Sequence, residues 1–447
     1  MTTKKNPWIL TLSENSFRER IKLLPPAARS LAMFARMYAD PEFFARQFFA
    51  EHCRLPFAEF HRRLFAWHCE MGAELSTRRG RRYVVAAPRG CAKSTLTSLV
   101  LVMHDVIFRR ERYIVIISAT DRQARQRLRA IRRELERAEI RECLPTRDTA
   151  IILTSRTLIV GDVQIDAFGA GAEMRGLVNN GYRPTKIILD DAEASRSADS
   201  PSAREKLAEW FAEVVEHLGD TYTNMLAIGT VLHEKGLIAS LLRRADFDGI
   251  LAKSIEAFST DEILWNEWRR RLLDFADAQR RQSAREFFVA NREAMELGTR
   301  VIWRDKEDYE ELYGQVTLQG RRAFYQEKQN TPLGPQDALF QPDRALRAVL
   351  KNKVVEIQTN GVPVRSYCID VYTGARRFGY LDAAMGKGSR IAKGDFCALA
   401  TVVLLPDNSL VLESLWARRA PPTEQVARLF DAHQLRPFER LAIEGTG

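Results

Sequence analysis

The stretch VVAAPRGCAKST, residues 84–95, decides the fold of this chain. An apolar run leads into a tight turn, the turn into Lys93, and Lys93 into a second apolar run. This order is typical of a strand, a phosphate-binding loop and a helix, where backbone N–H groups and the helix N-terminus surround an anion. Lys93 would reach the β- and γ-phosphates of ATP, and the Ser94 hydroxyl would hold Mg²⁺. The predicted nucleotide-binding residues are Arg89, Gly90, Cys91, Ala92, Lys93, Ser94 and Thr95.

The loop departs from the usual G-x-x-x-x-G-K-[ST] pattern at both outer glycines. Ala87 and Ala92 stand where that pattern has Gly, although the spacing is kept. Ala92 would need a backbone conformation that Gly adopts more cheaply. The alternative interpretation is an ordinary strand-to-helix turn that carries an incidental lysine.

A second apolar run, KIILDD (186–191), ends in two carboxylates. It places Asp190 and Asp191 at the carboxyl edge of a parallel sheet, where ligands bind in open α/β folds. One carboxylate would hold Mg²⁺ by way of water, and the next would orient the attacking water. Together with the loop, this run predicts a nucleotide hydrolase.

Short β-rich runs alternate with helical stretches from residue 83 to residue 254. The runs are 83–88, 113–120, 186–191, 224–230 and 249–254. Such alternation indicates βαβ units, and hence an α/β fold with a parallel sheet covered on both faces. We predict an N-terminal helical segment over 1–55, an ATPase domain over 56–260, a helical connector over 261–350 and a further domain over 351–447.

The composition favours a polyanionic partner. The 447 residues include 68 Lys plus Arg against 58 Asp plus Glu, a net charge of +10, with 45% hydrophobic residues. No apolar stretch is long enough to span a bilayer, and MTTKKNPWIL lacks the features of a secretory signal. We therefore expect an intracellular protein. The basic run 78–82 would contact phosphates or, more simply, be a solvated charge run.

The C-terminal segment predicts a strand ending near Asp382, a hairpin turning at residues 406–409, a helix and the short strand RLAIE before Glu444. This order is the beginning of an α/β nuclease-like fold.

From about residue 55 to 447 the chain resembles the large subunit of a tailed-phage terminase, a DNA-packaging ATPase and nuclease. The resemblance lies in the order and spacing of several motifs: APRGCAKST (87–95), ISATDRQARQRL (117–128), FGAGAEMRGLVNNGYRPTKIILDDAE (168–193), MLAIGTVLHEKGLI (225–238), FYQEKQNTP (324–332), YLDAAMG (380–386) and KGDFCALATVV (393–403). It implies a P-loop ATPase followed by an RNase H-like nuclease domain, incomplete in this sequence.

The resemblance suggests roles for individual residues. Arg89 would add charge to the phosphates or sense them, and Arg175 would be an arginine finger for a neighbouring subunit, with a surface arginine as the alternative. Asp191 would activate the water, with Glu193 as its competitor. Thr230 would couple phosphate release to domain motion, with a plain turn at the end of a strand as the alternative.

For the nuclease, Asp382 and Glu444 would hold two divalent metals, Mg²⁺ or Mn²⁺, that flank the scissile phosphate. Asp395 is more simply a turn residue, and Glu413 a solvated strand position. A third carboxylate would come from a part of the family fold beyond Gly447. We therefore expect ATP hydrolysis but weak or absent DNA cleavage.

The resemblance also implies partners: double-stranded DNA, a terminase small subunit, the portal protein of the procapsid and further copies of the chain in a ring, with no membrane, in the cytoplasm of a bacterial host. An ATP-dependent helicase or repair nuclease shares the P-loop core and is the first alternative. An inactive prophage remnant or scaffold is the second.

Overall fold

The computed structural model describes residues 12–144, 146, 149–194, 198, 200–274, 276–332, 346–359, 362–383, 396–405 and 409–444. The chain divides into two compact units, Met1–Gly334 and Pro335–Gly447. The predicted turn at 406–409 lies outside the described residues except for Ser409, and Asp395 also lies outside them.

The first unit is built on a sheet of eight strands in the order β3-β4-β5-β2-β6-β7-β1-β8. The strands from β5 to β8 along this order pair in parallel, while β3, β4 and β5 are antiparallel to one another. The strands are β1 Arg82–Ala86, β2 Tyr113–Ser118, β3 Ile151–Leu153, β4 Thr157–Val160, β5 Val163–Gly169, β6 Lys186–Asp190, β7 Asn224–Gly229 and β8 Asp248–Leu251. The predicted α/β fold with a mainly parallel sheet is confirmed.

Helices cover this sheet. They are α1 Glu14–Lys22, α2 Pro26–Ala39, α3 Pro41–Phe48, α4 Glu59–Glu70, a helical segment α5 made of Lys93–Thr95, the π-turn Leu96–Val100 and Leu101–Ile107, then α6 Asp121–Leu135, α7 Ala138–Arg141, α8 Pro201–Glu213 and α9 Leu237–Leu241. A 3₁₀ turn, Val215–His217, follows α8.

Both faces of the sheet are buried. All six residues of β2 are buried, and neighbouring residues of one strand enter different cores: Val84 packs on one face and Val85 on the other. Parallel strands covered on two sides read as continuous apolar runs rather than alternating ones, which is the pattern in the sequence.

A smaller layer follows the sheet. It contains β9 Ile255–Ala257, α10 Glu262–Leu272, α11 Arg280–Ala290, α12 Arg292–Met295, β10 Arg300–Val301, α13 Tyr309–Gln319 and α14 Arg321–Glu327. Its own core is aromatic and includes Trp265, Trp268, Phe288, Tyr309 and Phe324. The side chains of Gln329 and Asn330 donate to backbone carbonyls of residues 255 and 252, at 2.9 and 2.7 Å. These bonds fix the end of the layer to the strands that precede it.

The second unit has two sheets. One has the order β11-β12-β13 and the other β16-β15-β14-β17. The elements are β11 Arg347–Lys351, β12 Val354–Thr359, β13 Val362–Cys368, α15 Ile369–Gly374, β14 Arg376–Asp382, β15 Cys397–Leu404, β16 Leu410–Arg418, α16 Pro422–Leu435 and β17 Arg440–Ile443. The predicted order of strand, hairpin, helix and strand is present, and β17 pairs in parallel with β14. The first sheet of this unit was not predicted.

Two smaller predictions are wrong. Glu413 is not a solvated strand position, because it forms ion pairs with Arg377 and, at 3.0 Å, with Arg436. The run 78–82 is not uniformly solvated either, since Arg78 is buried and pairs with Glu111 at 2.8 Å. No helix in the described part of the chain has the length and apolarity that a bilayer crossing requires.

Candidate nucleotide-binding site

The loops after three strands converge on one cleft in the first unit. Strands β6, β7 and β1 are neighbours, and register pairs join Asp190 to Ile228 and Gly229 to Ala86. The cleft has a volume of about 310 Å³ and is lined by Arg89, Gly90, Cys91, Ala92, Lys93, Ser94, Thr95, Arg127, Asp191 and Thr230. All seven predicted nucleotide-binding residues therefore line the same cleft.

The loop between β1 and α5 turns through two left-handed residues, one of them an alanine. Gly90 has φ +83° and Ala92 has φ +54°, both in the left-handed region. Ala92 caps the start of α5 in that conformation, which costs an alanine more than a glycine. A Cβ atom on Gly90 would lie 2.7 Å from Lys306 Nζ, the movable end of a side chain, so the left-handed backbone rather than lack of space favours glycine here.

Lys93 lies inside the loop. It is buried, and its ammonium donates to the carbonyls of Ala87 and Pro88 at 2.8 and 3.2 Å and to Thr230 Oγ1 at 3.2 Å. Burial lowers the pKa of Lys93, and the nearby Asp191 carboxylate opposes that shift. A cation held by neutral oxygens at the floor of a cleft is suited to bind an incoming anion.

Asp190, the last residue of β6, is not in the lining of the cleft but contacts two residues that are. Its Oδ1 accepts a hydrogen bond from Ser94 Oγ at 2.5 Å, and its Oδ2 forms an ion pair with Arg127 Nε at 2.8 Å. The N–H of that guanidinium is not directed at the oxygen, so neither Oδ2 nor Nε has a hydrogen bond. Arg127 is thus part of the site, although its helix holds several arginines and nothing in the sequence distinguishes this one.

Asp191 and Glu193 occupy different places. Asp191 lines the cleft and has φ +49°, in the left-handed region. Its carboxyl is accessible but lies deep in the cleft, and this partial desolvation raises its pKa, while the charge of Lys93 lowers it. Glu193 is buried, does not line the cleft, and would lie 2.6 Å from a Cβ on Gly236. Burial raises the pKa of Glu193, and the backbone N–H of Leu237 and the charge of Arg204 oppose that shift.

Residues distant in sequence hold the loop in place. His61, on α4, accepts from the N–H of Ala58 at 3.0 Å through Nδ1 and donates through Nε2 to the carbonyl of Cys91 at 3.0 Å. This pair of bonds requires the neutral ring, and burial lowers the His61 pKa to about 4. Lys306 donates to the carbonyl of Gly90. Nothing in the sequence indicates either contact, because the partners are 30 and 216 residues apart.

The segment 324–332 reaches the same loops. Glu327 pairs with Arg89 through Oε2 at 2.8 Å, and Asn330 Oδ1 accepts from the N–H of Val231 at 2.8 Å. Val231 directly follows Thr230. The connector motif therefore contacts both the phosphate loop and the loop after β7.

Arg175 does not line the cleft of its own chain and is exposed. Arg89 is two-thirds exposed at the mouth of the cleft. A finger acting on a neighbouring subunit needs such an outward position.

In the second unit, the predicted nuclease carboxylates lie side by side. Leu381 pairs with Ile443 between the parallel strands β14 and β17, so Asp382 and Glu444 follow at the same edge. The N–H of Glu444 donates to the carbonyl of Leu381 at 2.9 Å, and its Oε2 accepts from Tyr380 at 3.0 Å. Both carboxylates are exposed.

Solved structures of phage large terminases match most of the chain. The large terminase of a thermophilic bacteriophage matches with 9% identity over 88% of this chain and 78% of that one, at a TM-score of 0.32. The same protein in complex with ADP matches with 10% identity over 87% and 78%, at 0.33. The large terminase ATPase domain of Thermus phage P74-26 matches with 17% identity over 58% and 91%, at 0.30.

No protein-family model and no curated protein sequence matches the chain. At the TM-scores above, the solved structures add no weight to the assignment of a function, which rests on the cleft and on the motifs that form it.

Proposed function

We propose that this chain is the ATP-hydrolysing motor subunit of a DNA-packaging machine, a terminase large subunit. The observation that carries the proposal is the convergence of Lys93, Ser94 and Asp191 on one cleft at the carboxyl edge of a parallel sheet, with Asp190 hydrogen-bonded to Ser94. The order of the surrounding motifs, which resembles that family, supports the choice of terminase over other P-loop ATPases.

The residues present fit a magnesium ion. Ser94 and Asp190 are hard oxygen donors 2.5 Å apart, and Asp190 Oδ2 is a buried oxygen that lacks a hydrogen bond. Mg²⁺ bound there would neutralise charge that develops on the phosphates. Ser94 Oγ would hold the ion directly and Asp190 would hold it through water.

The side chains then divide the work of hydrolysis. Lys93 donates to the phosphate oxygens and stabilises negative charge on them. Asp191 accepts a hydrogen bond from the attacking water and orients it, since it is the carboxylate that faces the cleft. Arg89 adds charge at the mouth of the cleft, and Arg175 acts on the site of a neighbouring copy in a ring.

Hydrolysis would be coupled to movement through the connector. Thr230 binds Lys93, Val231 binds Asn330, and Glu327 binds Arg89. A change at the phosphates would thus reach residues 326–330 through direct contacts. We propose that this path drives translocation of double-stranded DNA, bound through its phosphates without regard to sequence, as the net charge of +10 favours.

For the second unit we propose an RNase H-like nuclease site at Asp382 and Glu444, using Mg²⁺ or Mn²⁺. Their adjacency on parallel strands supports it. The test is a plasmid-nicking assay with Mg²⁺ or Mn²⁺, in which Asp382→Ala should abolish whatever cleavage the unaltered chain shows. The further partners in this proposal are a small subunit and the portal of a procapsid, in the cytoplasm of a bacterial host.

The test is ATP turnover by the purified chain, with and without linear double-stranded DNA. Lys93→Ala should lower turnover more than tenfold, because losing a phosphate-binding cation costs several kcal/mol of transition-state stabilisation, about 1.4 kcal/mol per factor of ten. Lys206→Ala, an exposed lysine on α8, is the matched control and should be neutral. Turnover that survives Lys93→Ala, or that DNA does not affect in the unaltered chain, would contradict the proposal.

A further inference from the structure

Asp190, the carboxylate assigned to the magnesium ion, already has a cationic partner. Arg127 Nε, from α6, approaches Asp190 Oδ2 to 2.8 Å, while Ser94 occupies Oδ1. The Asp190 side chain is fully buried, so leaving its charge unbalanced would be costly. Arg127 supplies that balance when no metal is bound.

The contact is also of a kind that can be displaced. The Arg127 side chain is a third exposed and lines the cleft, although its Nε atom is buried against Asp190, so the side chain has open space on its cleft side into which it can turn. It forms an ion pair but no directed hydrogen bond, and Oδ2 is left without a hydrogen-bond donor. A water molecule held by Mg²⁺ would supply that donor, and it would need the space next to Oδ2 that Arg127 takes.

We infer that Arg127 is a displaceable counter-ion of Asp190, which magnesium nucleotide must move aside on binding. This inference rests on the proposed function, because it concerns the same cleft. It assigns a role to an arginine of the segment 117–128 that the proposed function leaves without one. Arg127 and Mg²⁺ compete for one carboxylate oxygen, so the arginine raises the magnesium concentration that the site needs.

The consequence is measurable without turnover. Binding of a fluorescent N-methylanthraniloyl derivative of ADP to the full chain is followed while MgCl₂ is titrated from an EDTA-buffered start. Arg127→Gln removes the charge, and we expect the half-saturating Mg²⁺ concentration to fall roughly three- to tenfold, because the pair joins a buried carboxylate to a partly exposed guanidinium. Arg127→Lys keeps a cation and should restore most of the wild-type requirement.

Arg132→Gln is the matched control. Arg132 lies on the same helix, is likewise a third exposed, and pairs with Glu136 at 2.9 Å, away from the cleft. It should leave the half-saturating concentration unchanged. If Arg127→Gln fails to fold, Arg127→Met, which keeps the apolar stem of the side chain, replaces it.

The outcomes separate the two claims. A wild-type protein that binds no magnesium nucleotide would contradict the proposed function, and this inference with it. Binding by the wild type with an unchanged or higher magnesium requirement in Arg127→Gln would overturn the inference alone, because Arg127 would then not compete for Asp190.

Discussion

Replacing the two loop alanines by glycine should have opposite effects on stability. Ala92 has φ +54°, a region that costs an L-residue about 1–2 kcal/mol. Ala92→Gly relieves this strain but adds about 0.4–1 kcal/mol of unfolded-state entropy. The expected net effect is stabilisation by about 0.5–1 kcal/mol.

Ala87 offers no such relief. It is not among the described residues with positive φ, and its methyl group is fully buried beside β7. Ala87→Gly therefore loses about 0.5–1 kcal/mol through backbone freedom and about 0.8 kcal/mol through lost methyl burial. We expect destabilisation by about 1–2 kcal/mol.

The assay is urea unfolding of the wild type and both variants, followed by tryptophan fluorescence, with midpoints compared at equal slope. The midpoint should rise for Ala92→Gly and fall for Ala87→Gly. Midpoints that move in the same direction would refute the reasoning, because the sign of φ would then not decide the effect. ATP turnover by Ala92→Gly should be retained, since the loop keeps its shape.

Three further results are expected. Asp191→Asn should lower ATP turnover in single-turnover assays more than Glu193→Gln does, because of these two carboxylates only Asp191 lines the cleft. Nucleotide binding should be retained in both variants. The reverse order would assign the orientation of the attacking water to Glu193. Mixtures of Arg175→Ala and Lys93→Ala subunits should recover part of the turnover that each lacks alone, and no recovery in proven mixed assemblies would exclude a finger acting between subunits. His61, with a folded pKa of about 4 against an unfolded value near 6.5, contributes stability that is complete above pH 6.5 and is lost as the pH falls toward 4. Between pH 7 and pH 5 the wild type should therefore lose roughly 2 kcal/mol of unfolding free energy more than His61→Gln, as urea titrations at the two pH values would show.

Much of the first unit could be predicted because its signals are local. Apolar runs that end in a phosphate loop or in two carboxylates fix strand, turn and helix within a dozen residues, and parallel pairing brings their carboxyl ends to one edge. The strain at Ala92 was predictable for the same reason, since it follows from the turn itself. The three-stranded sheet at 347–368 carries no comparable signal, because its first strand is largely exposed and none of the three has a continuous apolar run.

Other features depended on residues far apart in the chain. Glu413 was expected to face solvent, yet two arginines from β14 and the end of α16 enclose it. Arg78 looked like one of several surface charges, but Glu111 and the carbonyls of Tyr222 and Thr185 bury it. Burial of a charge is decided by its partners, and a local pattern does not identify partners at such separations.

The local sequence is enough to predict the kind of site, a lysine-bearing loop and a carboxylate pair, each at the end of an apolar strand. It is enough because short-range backbone geometry and burial dictate where such strands end. Which of the candidate carboxylates and which of the arginines lie at the cleft depends on the tertiary structure. It placed Asp191 in the cleft and Glu193 outside it, and it brought Arg127, one arginine among several on α6, against Asp190. The physical reason is that spacing along a helix or loop fixes the direction of a side chain only relative to its own element, whereas the packing of that element against the sheet fixes what the side chain reaches.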